Sequence, residues 1–388
     1  MTAAIVGWAH TPFGKLDAVS VESLIVQVAR EALDHAGIEA GAVDEILLGH
    51  FGSGFSVQDF TASLVLQASD ALRFKPATRV ENACATGSAA VHQALKSIAA
   101  GAAKITLVVG VEQMTTTPGP EIGKTLLRAA YLPEDGDTPN GFAGVFGKIA
   151  ASYFQRHGDQ SDALAMISAK NHFNGVSNPY AQIRKDFGFD FCRNESEKNP
   201  FVAGPLKRTD CSLVSDGAAA MVIVEGALAQ QFPRAIGFRA AAHVQDFLPM
   251  SKRDILKFDG CAAAWHKALD QAQITLDDLS FVETHDCFTI AELIEYEAMG
   301  LTPEGQGARA IKEGWTRKDG KLPVNASGGL KSKGHPIGAT GVSMHVLTAM
   351  QLAGEAGEMQ IKDAKLGGIF NMGGAAVANY VSILERLK

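Results

Sequence analysis

Three short segments carry the side chains that could perform nucleophilic chemistry. They are residues 80–88 with Cys84, residues 283–288 with His285 and Cys287, and residues 325–341 with His335. The thiolate form of a cysteine is a strong nucleophile, and a neighbouring histidine is a common base for activating it. These residue types predict a reaction that begins with attack by a sulfur atom.

Cys84 comes just before a helical pattern. Apolar residues recur at helical spacing from Ala89 to Ile98, so Cys84 is predicted at the N-terminus of a helix. The helix dipole and the free amides at that position favour the thiolate over the thiol. The alternative is a small buried core residue, the commonest fate of a lone cysteine, and position alone leaves the two interpretations equally matched.

The two histidines lie in different local settings. His335 stands between glycines and before Pro336, which predicts a rigid, close-packed turn, with a purely structural histidine as the alternative. His285 and Cys287 are two residues apart at a predicted strand end, so their side chains share a face if the chain is extended. Because no third ligand has suitable spacing, no metal site is predicted.

An internal repeat indicates how these segments are positioned. Ala32-Leu33-Asp34 and Ala268-Leu269-Asp270 open similar stretches, and Asn82-Ala83-Cys84 parallels Asn325-Ala326-Ser327. Similar segments in the same order predict a gene duplication. The two similar halves are about 1–235 and 236–388.

Each half alternates predicted helices and strands. Apolar residues at helical spacing precede Gly37 and recur from Cys261 to Ala272, whereas the runs 105–111 and 368–370 are typical of buried strands. The fold class is therefore α/β, with sheets covered by helices on both faces.

Half one contains a long insertion between Glu112 and Asp216, rich in prolines and basic residues. Segments beyond the C-terminal end of a strand lie where α/β folds bind ligands. The insertion is predicted to cover a substrate; a surface elaboration or an oligomer contact is the alternative.

Composition excludes several classes of function. The chain has 388 residues, 46% hydrophobic and 20% charged, with a net charge of −7, which is typical of a globular protein. A mildly acidic chain without a basic tail is not expected to bind nucleic acid. A small anionic ligand held by a local basic patch stays compatible with this charge.

The cysteines and the termini indicate a compartment. Five widely spaced cysteines, an odd number, argue against a disulfide framework and favour a reducing environment. Cys192, Cys211 and Cys261 are predicted to be packing residues. The stretch Met1–Gly7 lacks the features of a signal peptide, the C-terminus carries no targeting address, and no apolar run is long enough to span a membrane. A cytoplasmic protein is expected.

Together these segments resemble the thiolase family over nearly the whole chain. The motifs are Glu81–Cys84, Ser215–Ala220 and 325–341, in the family's order, and Gly-His-Pro-x-Gly-Ala-Thr-Gly at 334–341 is the most specific. The resemblance implies the thiolase fold, in which two similar halves, each a mixed sheet covered by helices, form five layers, α-β-α-β-α. It also implies three units: an N-terminal half (1–114 and 206–235), an inserted substrate-binding loop domain (115–205) and a C-terminal half (236–388).

The chain departs from the common family pattern at two linked places. Most thiolases carry a second catalytic cysteine in a Cys-x-Gly-Gly motif, where this chain has Asn371-Met372-Gly373-Gly374. The usual Asn-Glu-Ala-Phe motif is replaced by His-Asp-Cys-Phe at 285–288. This pattern is similar to the sterol-carrier-protein type of thiolase, in which the cysteine of that motif is the acid/base.

The resemblance implies a role for each residue in an acyl-CoA C-acyltransferase. This enzyme condenses acetyl-CoA, or cleaves 3-ketoacyl-CoA by thiolysis, through an acyl group on the nucleophile. The implied reacting groups are Cys84 as nucleophile, His335 as its base and an enolate donor, and Cys287 as acid/base. His285 lies in the oxyanion hole, and the Cys84 and Gly373 amides form a second oxyanion hole. Ser212 and Phe288 are the implied substrate contacts. Coenzyme A is then a substrate, and no cofactor is implied.

The implied partners are acyl-CoA and CoA, a second copy of the chain in a homodimer or homotetramer, and, in some relatives, a small OB-fold zinc-ribbon protein. The basic residues of the insertion that could bind the CoA phosphates, each with a solvated surface charge as the alternative, are Lys124, Arg128, Lys148, Arg184, Lys185, Lys207 and Arg208. Acyl chain length and the direction of the reaction stay open.

Two other functions stay open. A decarboxylating ketosynthase could use Cys84, His285 and His335 and consume malonyl thioesters, which would make Cys287 incidental. A non-catalytic thiolase-like subunit could bind CoA esters within a larger complex.

Overall fold

A computed structural model describes residues 3–52 and 54–388, so Met1 and Thr2 of the N-terminal stretch discussed above lie outside it. The strands are β1 (Ala3–His10), β2 (Glu45–Gly49), β3 (Ala77–Val80), β4 (Ile105–Glu112), β5 (Phe201–Ala203), β6 (Leu206–Lys207), β7 (Gly217–Glu225), β8 (Ile236–Gln245), β9 (Phe281–Glu283), β10 (Leu366–Gly373) and β11 (Ala378–Arg386). The helices are α1 (Val21–Ala36), α2 (Thr61–Leu64), α3 (Thr86–Ala99), α4 (Gly119–Leu127), α5 (Leu132–Asp135), α6 (Phe142–His157), α7 (Ser161–Val176), α8 (Gly188–Arg193), α9 (Asp259–Ala272), α10 (Thr289–Ala298), α11 (Gly307–Lys312), α12 (Gly329–Lys333) and α13 (Ile337–Ala353).

The main sheet consists of two similar parts joined at a narrow seam. Its order is β3-β2-β4-β7-β1-β8-β11-β10-β9. In each part parallel strands are followed by an antiparallel return, β4 to β7 in the first and β10 to β11 in the second. The seam between β1 and β8 pairs Ala4 with Gly237 and Ile5 with Ile236. This arrangement confirms the predicted pair of similar mixed sheets.

Helices divide the molecule into five layers. Helix α1 covers the outer face of the first part with Leu24 and Val28, and α9 covers the outer face of the second with Trp265. Helices α3 and α13 lie between the two parts, where Val91 and Val342 pack in a shared core. The predicted α/β fold with an α-β-α-β-α order is confirmed.

The insertion lies between β4 and β7 and contains α4 to α8 with the hairpin β5–β6. Asp216 holds its two ends together, because its carboxylate accepts hydrogen bonds from the amides of Met114 (2.7 Å) and Thr115 (2.8 Å) and from the Thr115 hydroxyl (2.6 Å). Phe146 and Tyr153 of α6 are buried in the core of the second half. The insertion is thus packed against the half from which it does not originate. Among the residues described, no helix is both long enough and apolar enough to cross a membrane.

The two central helices touch through glycine. A Cβ atom on Gly341 of α13 would press against the backbone nitrogen of Ser88 in α3 and stand 2.6 Å from Asn371 Oδ1. Because backbone atoms cannot move aside independently, only hydrogen fits at this position.

We therefore expect Gly341→Ala to lower the free energy of unfolding by about 1–3 kcal/mol, the usual cost of overpacking a core. Urea unfolding followed by circular dichroism measures this change. Gly119→Ala is the matched control, since a Cβ there meets open space. Equal midpoints for the two variants would show that α3 and α13 tolerate a wider spacing than the structure indicates.

Candidate active site

Cys84, His285 and His335 converge at one buried point. The Cys84 sulfur and one ring nitrogen of each histidine all lie within 4.8 Å of one another. The two imidazole centroids are 5.1 Å apart with their planes at 82°. Cys84 lies between β3 and α3, His285 follows β9, and His335 lies between α12 and α13. The structure thus brings together three side chains that the sequence placed in three separate segments.

Cys84 sits two residues before α3, as predicted, on a turn in which Ala83 adopts a left-handed φ of 50°. The expectation of a thiolate is wrong. Burial raises the pKa of the Cys84 thiol to about 12, and this outweighs the backbone amides of Gly374 and Cys84, which favour the anion. With this raised pKa the Cys84 thiol stays protonated, so any reaction at its sulfur requires a base.

His335 lies close to this thiol and has a free lone pair on its ring. The Thr340 hydroxyl donates its one hydrogen to the Pro336 carbonyl (2.9 Å), so it accepts from Nδ1–H of His335 (2.7 Å). Nε2 therefore carries no hydrogen, and it is buried without a hydrogen-bond partner among the described residues. Burial, with Lys333 nearby, lowers the pKa of His335 to about 3. His335 is therefore neutral, and it is held in a turn, as predicted.

His285 has the opposite tautomer, with its hydrogen on Nε2. Asn371 Nδ2 lies 2.9 Å from Nδ1 of His285 and also donates to the Cys84 carbonyl (3.2 Å). Nδ1 is therefore an acceptor, and the ring carries its hydrogen on Nε2. Burial, His335 and Lys333 hold the pKa of His285 well below its usual value. The neutral ring can donate one hydrogen bond into the site.

Cys287 reaches the same site by a turn rather than by an extended strand. Its amide donates to the His285 carbonyl (2.9 Å), and the Asp286 amide donates to the Thr284 carbonyl (3.2 Å), so the expectation of a shared strand face is wrong. Burial raises the pKa of the Cys287 thiol well above its usual value, and the neighbouring Cys84 contributes to this. Cys287 is thus a protonated thiol close to Cys84.

Asp286 anchors the segment that carries His285 and Cys287. Its carboxylate accepts hydrogen bonds from the Leu330 amide (2.6 Å), the Lys331 amide (3.1 Å) and the Asn171 side chain (2.7 Å). It thereby connects this segment to α12 and so to His335. Burial raises the pKa of Asp286 to about 7, with Glu292 adding to the shift. Sequence reasoning missed this role, although the residue lies inside a recognised motif.

Ser212 and Phe288, the predicted substrate contacts, lie beside Cys287. The Ser212 amide donates to the Cys287 carbonyl (2.8 Å). The Phe288 ring stacks on Phe146 of the insertion, with centroids 4.4 Å apart and planes at 20°. One wall of the site is therefore built from the insertion.

The glycines at the end of β10 closely approach the turn that carries Cys84. A Cβ on Gly373 would press against the Asn82 carbonyl and stand 3.4 Å from Ala85 Cβ. The amide that hydrogen-bonds the Cys84 sulfur belongs to Gly374, one residue beyond the predicted Gly373. The role of the Gly373 amide in an oxyanion hole stays a prediction.

The basic residues of the insertion differ in their exposure and in whether they form ion pairs. Lys207 is 2% exposed and pairs with Asp210 at 3.5 Å, so it is not a solvated surface charge. Lys148 forms an ion pair with Asp135 at 3.4 Å. The side chains of Lys124 and Arg208 are exposed.

The turn that carries Cys84 has a counterpart in the second half. The repeat matches Cys84 with Ser327. Ser327 is buried, and its hydroxyl donates to Glu283 (2.5 Å), two residues before His285. The matching position is thus used to brace the segment that carries a histidine.

The comparisons with family models, curated relatives and solved structures agree with one another. The family model for the N-terminal domain of thiolase matches residues 3–227, and the model for the thiolase C-terminal domain-like region matches residues 242–386. An acetyl-CoA acetyltransferase from Methanothermobacter thermautotrophicus is 34% identical over 99% of both chains. Sterol carrier protein 2 from Homo sapiens is 33% identical over 96% of this chain and 70% of that protein. The solved structure of an Ltp2-ChsH2(DUF35) aldolase shares the fold with a TM-score of 0.83 at 19% identity, over 99% of this chain and 98% of that chain.

Proposed function

This chain belongs to the thiolase family, and we propose that it is an acyltransferase that condenses acetyl-CoA and cleaves 3-ketoacyl-CoA through an acyl group on Cys84. The observation that carries this proposal is the convergence of the Cys84 sulfur with one ring nitrogen from each of His285 and His335, all within 4.8 Å of one another. Relatives named acetyl-CoA acetyltransferase support the same reaction. CoA enters as a substrate, and the steps use no further cofactor.

In the first step His335 Nε2 takes the Cys84 proton while the sulfur attacks the 3-keto carbon. The amides of Cys84 and Gly373, with that of Gly374 beside them, stabilise the resulting oxyanion. The carbon–carbon bond then breaks, and its electron pair forms the enolate of acetyl-CoA. His285 and the protonated His335 donate to the enolate oxygen, and Cys287 gives its proton to the enolate carbon.

In the second step an incoming CoA thiol returns a proton to Cys287 and attacks the acyl group. The tetrahedral intermediate collapses and expels the Cys84 sulfur, which regains its proton from His335. In the condensing direction Cys287 instead removes the α-proton of acetyl-CoA. Loss of one donor to an oxyanion raises such barriers by about 3 kcal/mol.

Peptide mass spectrometry after incubation with acyl-CoAs tests the proposal. We expect the acyl label on Cys84 of the wild-type protein and on no other cysteine. Cys261→Ala is the matched control, because it removes another buried thiol, on α9, and it should label normally. A label on another residue would contradict the mechanism, and consumption of malonyl-CoA with release of carbon dioxide would favour the ketosynthase.

The lowered pKa of His335 predicts the pH dependence of acylation. With a pKa of about 3, the imidazole stays neutral, and so stays a base, as the pH falls from 8 to 5.5. An imidazole with the ordinary pKa of about 6.5 would be nine-tenths protonated at pH 5.5 and would lose about tenfold in rate. We expect the single-turnover rate of Cys84 acetylation to change less than twofold over this range, and rapid-quench mass spectrometry measures it. A tenfold fall would show that His335 titrates normally.

The assembly belongs to the same proposal. We expect a homodimer or homotetramer in solution, and light scattering coupled to size-exclusion chromatography distinguishes them. A small zinc-ribbon protein is the partner to add if the isolated chain is acylated slowly. The exposed Lys124 and Arg208 are the proposed contacts for the CoA phosphates.

A further inference from the structure

Asn371 occupies the position at which most thiolases have a second catalytic cysteine, and the mechanism above gives it no role. We infer that Asn371 is a positioning residue that keeps the hydrogen of His285 on Nε2, so that this ring donates to a substrate oxyanion and does not bind a metal ion. The catalytic part of this inference rests on the proposed function. The tautomeric part does not.

The contacts of the Asn371 amide determine its orientation. Asn371 is fully buried on β10. Its Nδ2 atom is 3.2 Å from the Cys84 carbonyl oxygen, which can only accept, and 2.9 Å from Nδ1 of His285. Each of the two amide hydrogens thus has one acceptor. Exchanging the oxygen and nitrogen of the amide would set two oxygens against each other.

A neutral imidazole carries one hydrogen, and Nδ1 of His285 accepts one from Asn371. The ring hydrogen therefore lies on Nε2, which is buried and has no partner in the described part of the chain. His335 has the opposite arrangement, because Thr340 holds its hydrogen on Nδ1. The site presents one donor and one acceptor, and a different neighbour selects each.

The same tautomer determines the affinity of the site for zinc. The Cys84 sulfur and one ring nitrogen from each histidine lie within 4.8 Å of one another, a spacing from which a small shift reaches the ligand distances of Zn²⁺, about 2.3 Å for sulfur and 2.0–2.1 Å for nitrogen. A ring nitrogen that carries a hydrogen has no lone pair for a metal. With Asn371 in place, His285 is not available as the third ligand.

Asn371→Asp is the decisive variant, because the carboxylate has nearly the same shape and can only accept. One of its oxygens then faces the Cys84 carbonyl oxygen, so circular dichroism must first show that the variant is folded. The carboxylate should draw the His285 hydrogen to Nδ1 and leave a lone pair on Nε2. Nitrogen-15 NMR of histidine-labelled protein reports the tautomer, with His285→Gln identifying the His285 resonances. We expect Nε2–H in the wild type and Nδ1–H in Asn371→Asp. Nδ1–H in the wild type would overturn the inference, even if the variant did not fold.

Zinc titration gives a second readout that is independent of turnover. We expect Asn371→Asp to bind Zn²⁺ at least tenfold more tightly than the wild type, a typical effect of residues that orient metal ligands. Asn379→Asp is the matched control, since it places a carboxylate at another fully buried asparagine, on β11, and its zinc affinity should equal that of the wild type. Equal zinc affinity in all three proteins would contradict the metal part of the inference.

The kinetic consequence separates this inference from the proposed function. Asn371→Asp should reduce kcat for condensation by about 10²–10³-fold, the usual effect of losing an oxyanion donor, with little change in KM and with Cys84 still acylated. Full condensation activity together with the Nδ1–H tautomer would overturn the catalytic part. A wild-type protein that has the expected tautomer but does not form an acyl-enzyme would contradict the proposed function alone.

Discussion

Cys84→Ala is expected to reduce thiolysis of acetoacetyl-CoA by on the order of 10⁴-fold or more, because the covalent intermediate cannot form without the sulfur. The substitution removes one atom at a site that is 6% exposed, and the His335 base is left without a proton to accept. The fall in absorbance of the acetoacetyl-CoA enolate measures the rate.

The control for this variant is again Cys261→Ala, which should retain the wild-type rate. Binding of acetyl-CoA to Cys84→Ala, measured by isothermal titration calorimetry, should stay within a few-fold of the wild type, since only the reacting atom is lost. Thiolysis by Cys84→Ala at more than a hundredth of the wild-type rate would show that another residue carries the acyl group.

Cys287→Ala is expected to lower kcat for thiolysis and for condensation by about 10²–10⁴-fold, the usual contribution of a general acid/base. Proton transfer to and from the acetyl-CoA carbon depends on this thiol. Attack of Cys84 on acetyl-CoA needs no proton transfer at carbon. Cys287 only protonates the departing CoA sulfur in that step, and this sulfur can leave as a thiolate, so the variant should still be acylated and should lose far less rate in acylation than in condensation.

The contrast between the two half-reactions is the test of this assignment. Mass spectrometry measures acylation, and a coupled assay of free CoA measures condensation. If Cys287→Ala keeps the full rate of both, the acid/base assignment is wrong. If it loses both equally, Cys287 supports the fold of the site rather than the proton transfer.

Local patterns predicted much of the framework. The apolar spacing before Gly37 and the runs at 105–111 and 368–370 correspond to α1, β4 and β10, because periodicity reports which face of an element is buried. The location of Cys84 before a helix also followed from local spacing. These features depend on neighbours in the chain.

Burial and long-range contact account for what sequence reasoning missed. The helix N-terminus at Cys84 predicted a thiolate, but the surrounding protein removes water and raises the pKa to about 12. In the sequence Lys207 resembles a surface cation, whereas in the structure it forms an ion pair with Asp210. The sequence shows Asn371 only as the absence of a cysteine. Its role depends on two hydrogen-bond acceptors that belong to Cys84 and His285, both remote in sequence.

The hydrogen bond from Ser327 to Glu283 bears on the number of acyl groups that one chain can carry. The architecture repeats, yet Ser327, which matches Cys84, donates its hydroxyl hydrogen to Glu283 and is 2% exposed. Under the proposed mechanism a duplicated framework therefore holds a single sulfur that carries the acyl group, and the second copy supplies the two histidines near it. A saturating burst should deposit one acyl group per chain, not two, and each half is chemically incomplete without the other.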